Sequence, residues 1–444
     1  MTAVDNPFPK RVVYLTAGAG GMFCGSCLND NSLARGLTDL GVDVQLVPTY
    51  TPITTDEEDV SIDKIFFGGI NVFLQQKFPW LRYVPPVFDR VLNSPRLIRW
   101  ATQKDVQADP ELLGAMTVSM LKGSAGYQRK EVKRLMDFLV QADPQIVNFT
   151  NTLIAGCAPE IRRRLNIPVV VTLQGDDIFL DYIPERYRNE CLRQIRELGD
   201  SIDAYVVHSQ YYADYMSERL GIPASRIDVV KLGIDASEFM SPSPTDIDSV
   251  TGSEQRLQVG YLARLTPEKG LHLMVDAFIR LREQRDDVDL RIAGWVGTEH
   301  KAFAEEQFQR LDAAGLADSY YYSGVVDRAG KLAFLKSLDI FSVPTTYREP
   351  KGRFALEAMA CGVPLVLPQH GAFPELIADS NCGVLVRPDD AEHLAVELHA
   401  LLEDPERRRQ LGEAGRRAVS EQRSATAMAA QTISLYSKLL GENS

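Results

Sequence analysis

The 444-residue chain is short of several things, and each shortage narrows what it can be. No apolar run approaches the roughly 18 residues that a membrane-spanning helix needs. The opening stretch, MTAVDNPFPKRVVYLTAG, has no basic segment followed by a long apolar one, so no secretory signal is expected there. Cysteine is sparse: six residues with no regular framework, which suits reduced thiols in a cytoplasmic enzyme. There is no basic surplus either. A net charge of −12 argues against a nucleic-acid partner, although a local basic cleft stays open because a field depends on where charges lie. No low-complexity tract is present. With 45% hydrophobic and 24% charged residues, the composition is that of a soluble globular protein. The length suits two domains of about 200 residues each.

What is there repeats a rhythm. Arg11–Ala17 (RVVYLTA) reads as a buried strand followed by a glycine-rich loop. A helix with Leu28, Leu33, Leu37 and Leu40 near one stripe comes next, closed by Gly41. VDVQLVP, QIVNFT, PVVVTL and DAYVVHS then alternate with helical segments, the pattern of a parallel sheet covered by helices. The Ser-, Pro-, Asp- and Gly-rich stretch 240–254 reads as a linker, after which the pattern restarts with LQVGYLA, DLRIAGW, YYYSGVV, LDIFSVPT and VPLVLP. The expected division is an N-terminal Rossmann-like domain over 1–239 and a C-terminal one over 255–420, with a last helix over 421–444. Two such halves face each other across a cleft, where open α/β sheets bind ligands. Residues 55–135 break the rhythm with aromatics, Arg and Lys. They read either as an acceptor- or membrane-touching insertion or as a helical excursion packing its own aromatics.

The candidate chemistry sits in loops after strands. TAGAGGMFCGSC (16–27) fails as a dinucleotide fingerprint, because Phe23 stands at the third glycine position. It fails as a P-loop because Ser26 stands where Lys is required. It remains either a loop whose bare N–H groups approach a phosphate or sugar, or a tight turn. Cys24 and Cys27 have redox-pair spacing, but no second pair completes a zinc site, and small residues filling a turn explain them as well. Arg264 and Lys269 in GYLARLTPEKG flank a helix start, as a diphosphate site would require or as a solvated loop allows. Gln174, Gly175, Asp176 and Asp177 end a buried strand, yet no further acidic cluster completes a metal site. His208 also ends a strand and reads as structural or catalytic. In EPKGRFALE, Glu349 lies in a loop kept irregular by Pro350 and Gly352. Glu357 opens an apolar helix that Gly362 terminates. A carboxylate against that core needs a dedicated partner: a ligand hydroxyl, or a salt bridge or cap.

Together these residues resemble the retaining glycosyltransferases of family 4, which have the GT-B fold. The resemblance covers nearly the whole chain and is strongest from Val259 to Asp389, in GYLARLTPEKG, the two glutamates of EPKGRFALE, EAMACGVP and the GAFPE turn. LGIDASEF (232–239) is similar to the family's segment before the linker. The resemblance implies transfer of a sugar from a nucleotide-diphosphate donor to a hydroxyl acceptor (saccharide, lipid-linked or small molecule). It implies that no cofactor and no divalent metal are required. On that basis Arg264 and Lys269 bind the diphosphate, Glu357 the ribose hydroxyls and Glu349 the transferring sugar. Gly352, Gly371, Ala372 and Glu375 complete the donor site, and Gly20 and Gly21 approach it from the first domain. Gln174 stands where members often carry His, so proton chemistry is absent there while an amide can still bond a sugar hydroxyl. Two other readings stay open: a same-fold sugar-nucleotide epimerase, and a protein that binds nucleotide sugars without transferring them. The expected setting is the cytoplasm, with peripheral contact at the inner membrane face through the 70–100 segment as a further reading.

Overall fold

A computed structural model of the chain describes residues 8–18, 25–62, 64–67, 109–241 and 256–442. It contains two compact units, one comprising Met1–Lys231 with Ala425–Ser444 and the other Leu232–Ser424. Gly20, Gly21, Cys24, the 70–100 segment and most of the linker at 240–254 lie outside the described residues.

The first unit carries a six-stranded sheet: β1 (Arg11–Thr16), β2 (Asp43–Pro48), β3 (Ile146–Phe149), β4 (Val169–Thr172), β5 (Ala204–Val207) and β6 (Ile227–Val229). All neighbours are parallel and the order is β2-β1-β3-β4-β5-β6. The central strands are buried along their whole length, as a sheet covered on both faces demands; Val169, Val170 and Val171 have no exposed surface. In the second unit β7 (Leu257–Leu262), β8 (Val288–Ala293), β9 (Tyr320–Tyr322), β10 (Ile340–Phe341), β11 (Leu365–Pro368) and β12 (Gly383–Val386) pair in parallel in the order β12-β11-β10-β7-β8-β9. In each sheet the strand order reverses beside the first strand, between β1 and β3 and between β7 and β10. Ligands of open α/β sheets bind beyond the carboxyl ends at such a reversal.

Two expectations change at the edges. β6 and β12 were not anticipated. Each is the short outermost strand of its sheet, so neither carries the long buried apolar run that announces a central one. YYYSGVV, expected as a long strand, pairs only over Tyr320–Tyr322 before Gly324 turns the chain in the left-handed region at φ 67°.

The tail forms three helices, Ala391–Glu403, Pro405–Gln422 and Ala425–Glu442. The last returns to the first unit and packs on the helix Gly25–Asp39. Its approach depends on Gly36, where a Cβ would lie 2.7 Å from the Ala425 carbonyl oxygen and 3.1 Å from the Ala429 Cβ. Farther along, the buried Tyr436 hydroxyl donates to Asn148 Oδ1 at 3.0 Å, tying the helix to β3. Gly36→Leu should therefore lower stability by about 1–3 kcal/mol through overpacking, read as a reduced denaturant midpoint. An unchanged midpoint would mean that the helices separate at little expense.

Candidate active site

The reversal between β7 and β10 brings together two loops far apart in sequence. After β7 the chain passes Arg264 and the 3-10 turn Pro267–Lys269 before the helix Leu271–Arg282. After β10 it passes Tyr347 and Glu349 before the helix Arg353–Ala360. Lys269 Nζ donates to Glu349 Oε2 at 2.8 Å and to the Tyr347 hydroxyl at 2.6 Å, and that hydroxyl donates to the same Oε2. The Gly352 N–H donates to Oε1 at 3.2 Å. The ammonium also lies over the rings of Tyr347 and Phe354, 4.7 and 5.2 Å from their centroids.

Glu349 is only 5% exposed. Burial by itself raises its pKa, but the Lys269 charge and the hydrogen bonds from Lys269, Tyr347 and Gly352 outweigh that and bring it from 4.5 down to about 2. The carboxyl is therefore ionised at neutral pH and cannot serve as a proton donor there. Burial first, and the Glu349 charge next, push the Tyr347 hydroxyl well above its ordinary range, so it stays protonated and able to donate.

The GAFPE turn holds Glu349 from the other side. Gly371 has φ 61°, and a Cβ there would lie 2.5 Å from the Glu349 carbonyl oxygen. The Ala372 N–H donates to that same carbonyl at 2.8 Å. Glu375 is half-buried in the first turn of the helix Phe373–Ser380, where the dipole favours a carboxylate. His370 Nε2 bonds the Thr345 carbonyl at 2.8 Å, and burial lowers its pKa. Around this edge the buried atoms Thr266 Oγ1, Ser342 Oγ, Thr345 Oγ1 and His370 Nδ1 have no hydrogen-bond partner among the described residues. Buried polar atoms of this kind are normally satisfied by ordered water or by a bound group where no side chain reaches them. Arg264 is an accessible cation after β7. Its side chain is 55% exposed and comes no nearer to Glu268 than 4.0 Å.

Glu357 has the salt-bridge partners that were one of its open readings, and it lies deeper in its helix than the sequence suggested. It is the fifth residue of the eight-residue helix Arg353–Ala360 and lies beyond the first turn, so the helix dipole contributes little to it. Its dedicated partners are protein cations: Lys331 Nζ at 3.1 Å and Arg353 Nε at 3.2 Å, both on Oε1 and both buried. Arg353 could have been read as an i,i+4 pair. Lys331, 26 positions away, carried no sequence signal.

The first unit has its own buried carboxylate, also missed in the sequence. Asp30 Oδ2 accepts from Thr16 and Thr150 hydroxyls at 2.6 Å each, and Oδ1 accepts from the Tyr14 hydroxyl at 3.0 Å and Gln174 Nε2 at 2.8 Å. These donors follow or belong to β1, β3 and β4, so one side chain gathers three strand ends. The signal was present: Asn29, Asp30, Asn31 and Ser32 form a run of four buried polar residues in one helix. Gln174 is buried within this network, its Oε1 accepting from Asn29 Nδ2 at 3.1 Å. Asp176 accepts from the Thr152 N–H and hydroxyl, each at 2.7 Å, and from the Gln174 N–H at 3.1 Å. His208 Nδ1 bonds the Val230 carbonyl oxygen at 2.9 Å. Among the described residues no three His, Cys, Asp or Glu side chains converge as a metal site requires.

Comparison with known proteins accords with this arrangement. The family profile "Glycosyl transferases group 1" matches residues 244–418, and "Glycosyltransferase Family 4" matches residues 113–238. The chain is 30% identical over 392 residues to the alpha-maltose-1-phosphate synthase of Mycolicibacterium smegmatis, covering 84% of this chain and 96% of that one. It is 31% identical over 252 residues to the MMP alpha-(1->4)-mannosyltransferase of Mycolicibacterium hassiacum, covering 56% of this chain and 55% of that relative, little more than half its length. Among solved structures, Anabaena Alr3699/HepE in complex with UDP superposes with a TM-score of 0.68 over 96% of this chain and 100% of that one, at 18% identity, a likeness of fold alone. Both units thus have the Rossmann-like build of a GT-B protein. The chain belongs to the glycosyltransferases of that fold, related to the group 1 and Family 4 proteins.

Removing one partner of a buried ion pair leaves the other charge uncompensated. Lys269→Met should therefore cost about 3–5 kcal/mol of unfolding free energy, and the double variant Lys269→Met/Glu349→Gln should recover much of it. Additive losses would show that the pair is not coupled. The pH dependence has a definite sign. The folded carboxyl is depressed, so the stability it contributes is complete above pH 4.5 and fades as pH falls towards about 2. The stability gap between wild type and Glu349→Gln should narrow over that window in acid titrations.

Proposed function

We propose that the protein is a retaining, metal-independent glycosyltransferase of family 4 that moves a sugar from a nucleotide-diphosphate donor to a hydroxyl acceptor. The observation that carries this reading is the buried Lys269–Tyr347–Glu349 cluster at the β7/β10 reversal, with exposed Arg264 beside it. In this reading residues 255–420 hold the donor, 1–239 serve the acceptor, 240–254 link them and 421–444 form the closing helix. Arg264 and Lys269 meet the diphosphate, and the backbone N–H groups of the Gly371 turn add neutral donors. Glu349, ionised, accepts from hydroxyls of the transferring sugar and stabilises positive character at its anomeric carbon. Glu357, held by Lys331 and Arg353, presents its carboxylate to the ribose. Gly352, Ala372 and Glu375 shape the same pocket wall. Gly20, Gly21 and Gln174 act from the acceptor side, Gln174 through the Asp30 network. The UDP complex of Anabaena HepE supports a nucleotide-sugar donor as the substrate class.

The chemistry follows from charge. As the bond between the anomeric carbon and the diphosphate oxygen loosens, negative charge grows on the leaving group and positive charge on the sugar. Arg264 and Lys269 stabilise the first and Glu349 the second, which is preorganised electrostatic catalysis. In this reading, which follows the family resemblance, the hydroxyl attacks from the same face as the leaving group departs, and its proton passes to the leaving phosphate. Glu349, with its pKa held at about 2, is a weak base for that proton. The buried thiols and the absence of a disulfide among the described cysteines suit a reducing, cytoplasmic setting.

Thermal denaturation with UDP-, GDP- and ADP-sugars tests the donor assignment. A donor that binds the folded state at a hundred times its Kd adds about 2.7 kcal/mol. No stabilisation by any of them, or by free nucleoside diphosphates, would overturn it. With the donor so found, Glu349→Gln should lower turnover by roughly two to three orders of magnitude while donor affinity changes far less. Equal losses in both would reduce Glu349 to a binding residue.

A further inference from the structure

The first unit contains a cavity of about 380 Å³ beyond the carboxyl ends of β1 and β4. That volume lies at the small end of ligand pockets, roughly 300–1,000 Å³. Its walls come from Ala17 and Gly18, the helix Pro110–Leu121, the turn Thr152–Cys157 and Gln174–Asp176. Five apolar side chains that rest on the unit's core, Tyr50, Leu113, Met116, Leu153 and Phe179, are only half-buried and turn their remaining surface to this space.

Four polar side chains of the lining are tied to other groups of the protein. Asp176 accepts three hydrogen bonds from Thr152 and Gln174. Thr117 donates to the Leu113 carbonyl at 2.9 Å, and Asn151 accepts the Ile154 N–H at 3.3 Å. Gln174 is tied to Asp30 and Asn29. No Lys, Arg or His is among the described residues that line the cavity. An anionic group placed here would meet the Asp176 carboxylate with no cation to offset it among the described lining residues. A sugar ring with every face hydrated would exchange water for Leu, Met and Phe surface. A neutral group with apolar surface gains on both counts.

We propose that this cavity receives the apolar portion of a neutral acceptor, an aryl or short alkyl group borne by a sugar or polyol. The proposal rests on the glycosyltransferase reading and specifies its acceptor. The hydroxyl that attacks lies on the polar part of such a molecule, outside the cavity. The apolar part fixes its register, so discrimination among acceptors comes from burial against Met116, Leu153 and Phe179.

Calorimetry on the full chain tests this with phenyl and hexyl glycosides of glucose, mannose and galactose. Methyl glycosides and hexose 1-phosphates serve as comparison, each with and without the nucleoside diphosphate that stabilises the protein. Phenyl or hexyl glycosides should bind roughly tenfold or more tighter than their methyl counterparts, the gain from burying one ring or a few methylenes. Leu153→Lys, and the milder Met116→Gln, should remove that preference while leaving the nucleotide-induced thermal shift unchanged, which also shows that they fold. Tighter binding of hexose 1-phosphates, equal binding of all glycosides, no binding of any, or a preference that survives both substitutions would overturn the proposal. Failure of every nucleotide to bind while aryl glycosides still do would instead sink the donor assignment, and with it the acceptor role, leaving only the cavity's preference for apolar groups.

Discussion

A carboxylate buried at the carboxyl edge of a sheet must be surrounded by donors, and much of the second unit around β7 and β10 is arranged to meet that demand for Glu349. Desolvation alone would neutralise it. Lys269 comes from the loop after β7, Tyr347 from the loop after β10, and the Gly352 N–H from the start of the next helix. Gly371, without a side chain, lets the following turn close over the Glu349 backbone. The result is an anion whose charge survives burial and whose position is set from three directions, which is the preparation an electrostatic role requires.

The two units solve the same problem with different partners. Asp30 in the first is held by neutral donors, three hydroxyls and an amide. Glu349 and Glu357 in the second are held by Lys and Arg. Neutral donors gather strand ends without adding charge, which fits a unit whose adjoining cavity is mostly apolar. Cations offset each carboxylate locally. Arg264 lies outside that offset, exposed near the same edge and able to meet a diphosphate. The partners thus differ between the two units, cations around the buried glutamates of the second and neutral donors around Asp30 in the first. The net charge of −12 gives no hint of this difference.

Several site residues were legible because local chemistry announces them. Polar residues ending apolar runs, as at Gln174 and Glu349, cannot be core and must face a strand end. Arg264 and Lys269 bracket a helix start. Arg353 was not named from the sequence, although its spacing of four from Glu357 on one helix could have shown it. Lys331 and the Asp30 network escaped because their partners lie 26 and up to 144 residues away in sequence, and Tyr347 because its bond to Lys269 spans 78 residues while its bond to Glu349, two residues on, has no periodic signature. No local period encodes such meetings. Short edge strands such as β6 and β12 escaped for a related reason: a half-exposed three- or four-residue ladder lacks the continuous apolar run of a central strand.

Period, composition and turn chemistry were enough to establish two repeated α/β halves, their parallel sheets and the loops that carry charge. These are properties of neighbouring residues and of strands buried on both faces. Strand order, and with it the reversal that sets Lys269 against Glu349, came only with the folded chain. So did the return of the last helix onto Gly36 and the role of Glu357 as the centre of a buried cationic clamp. Each of these depends on which distant segments pack together. Burial then decides whether a charged side chain is solvated, paired or presented.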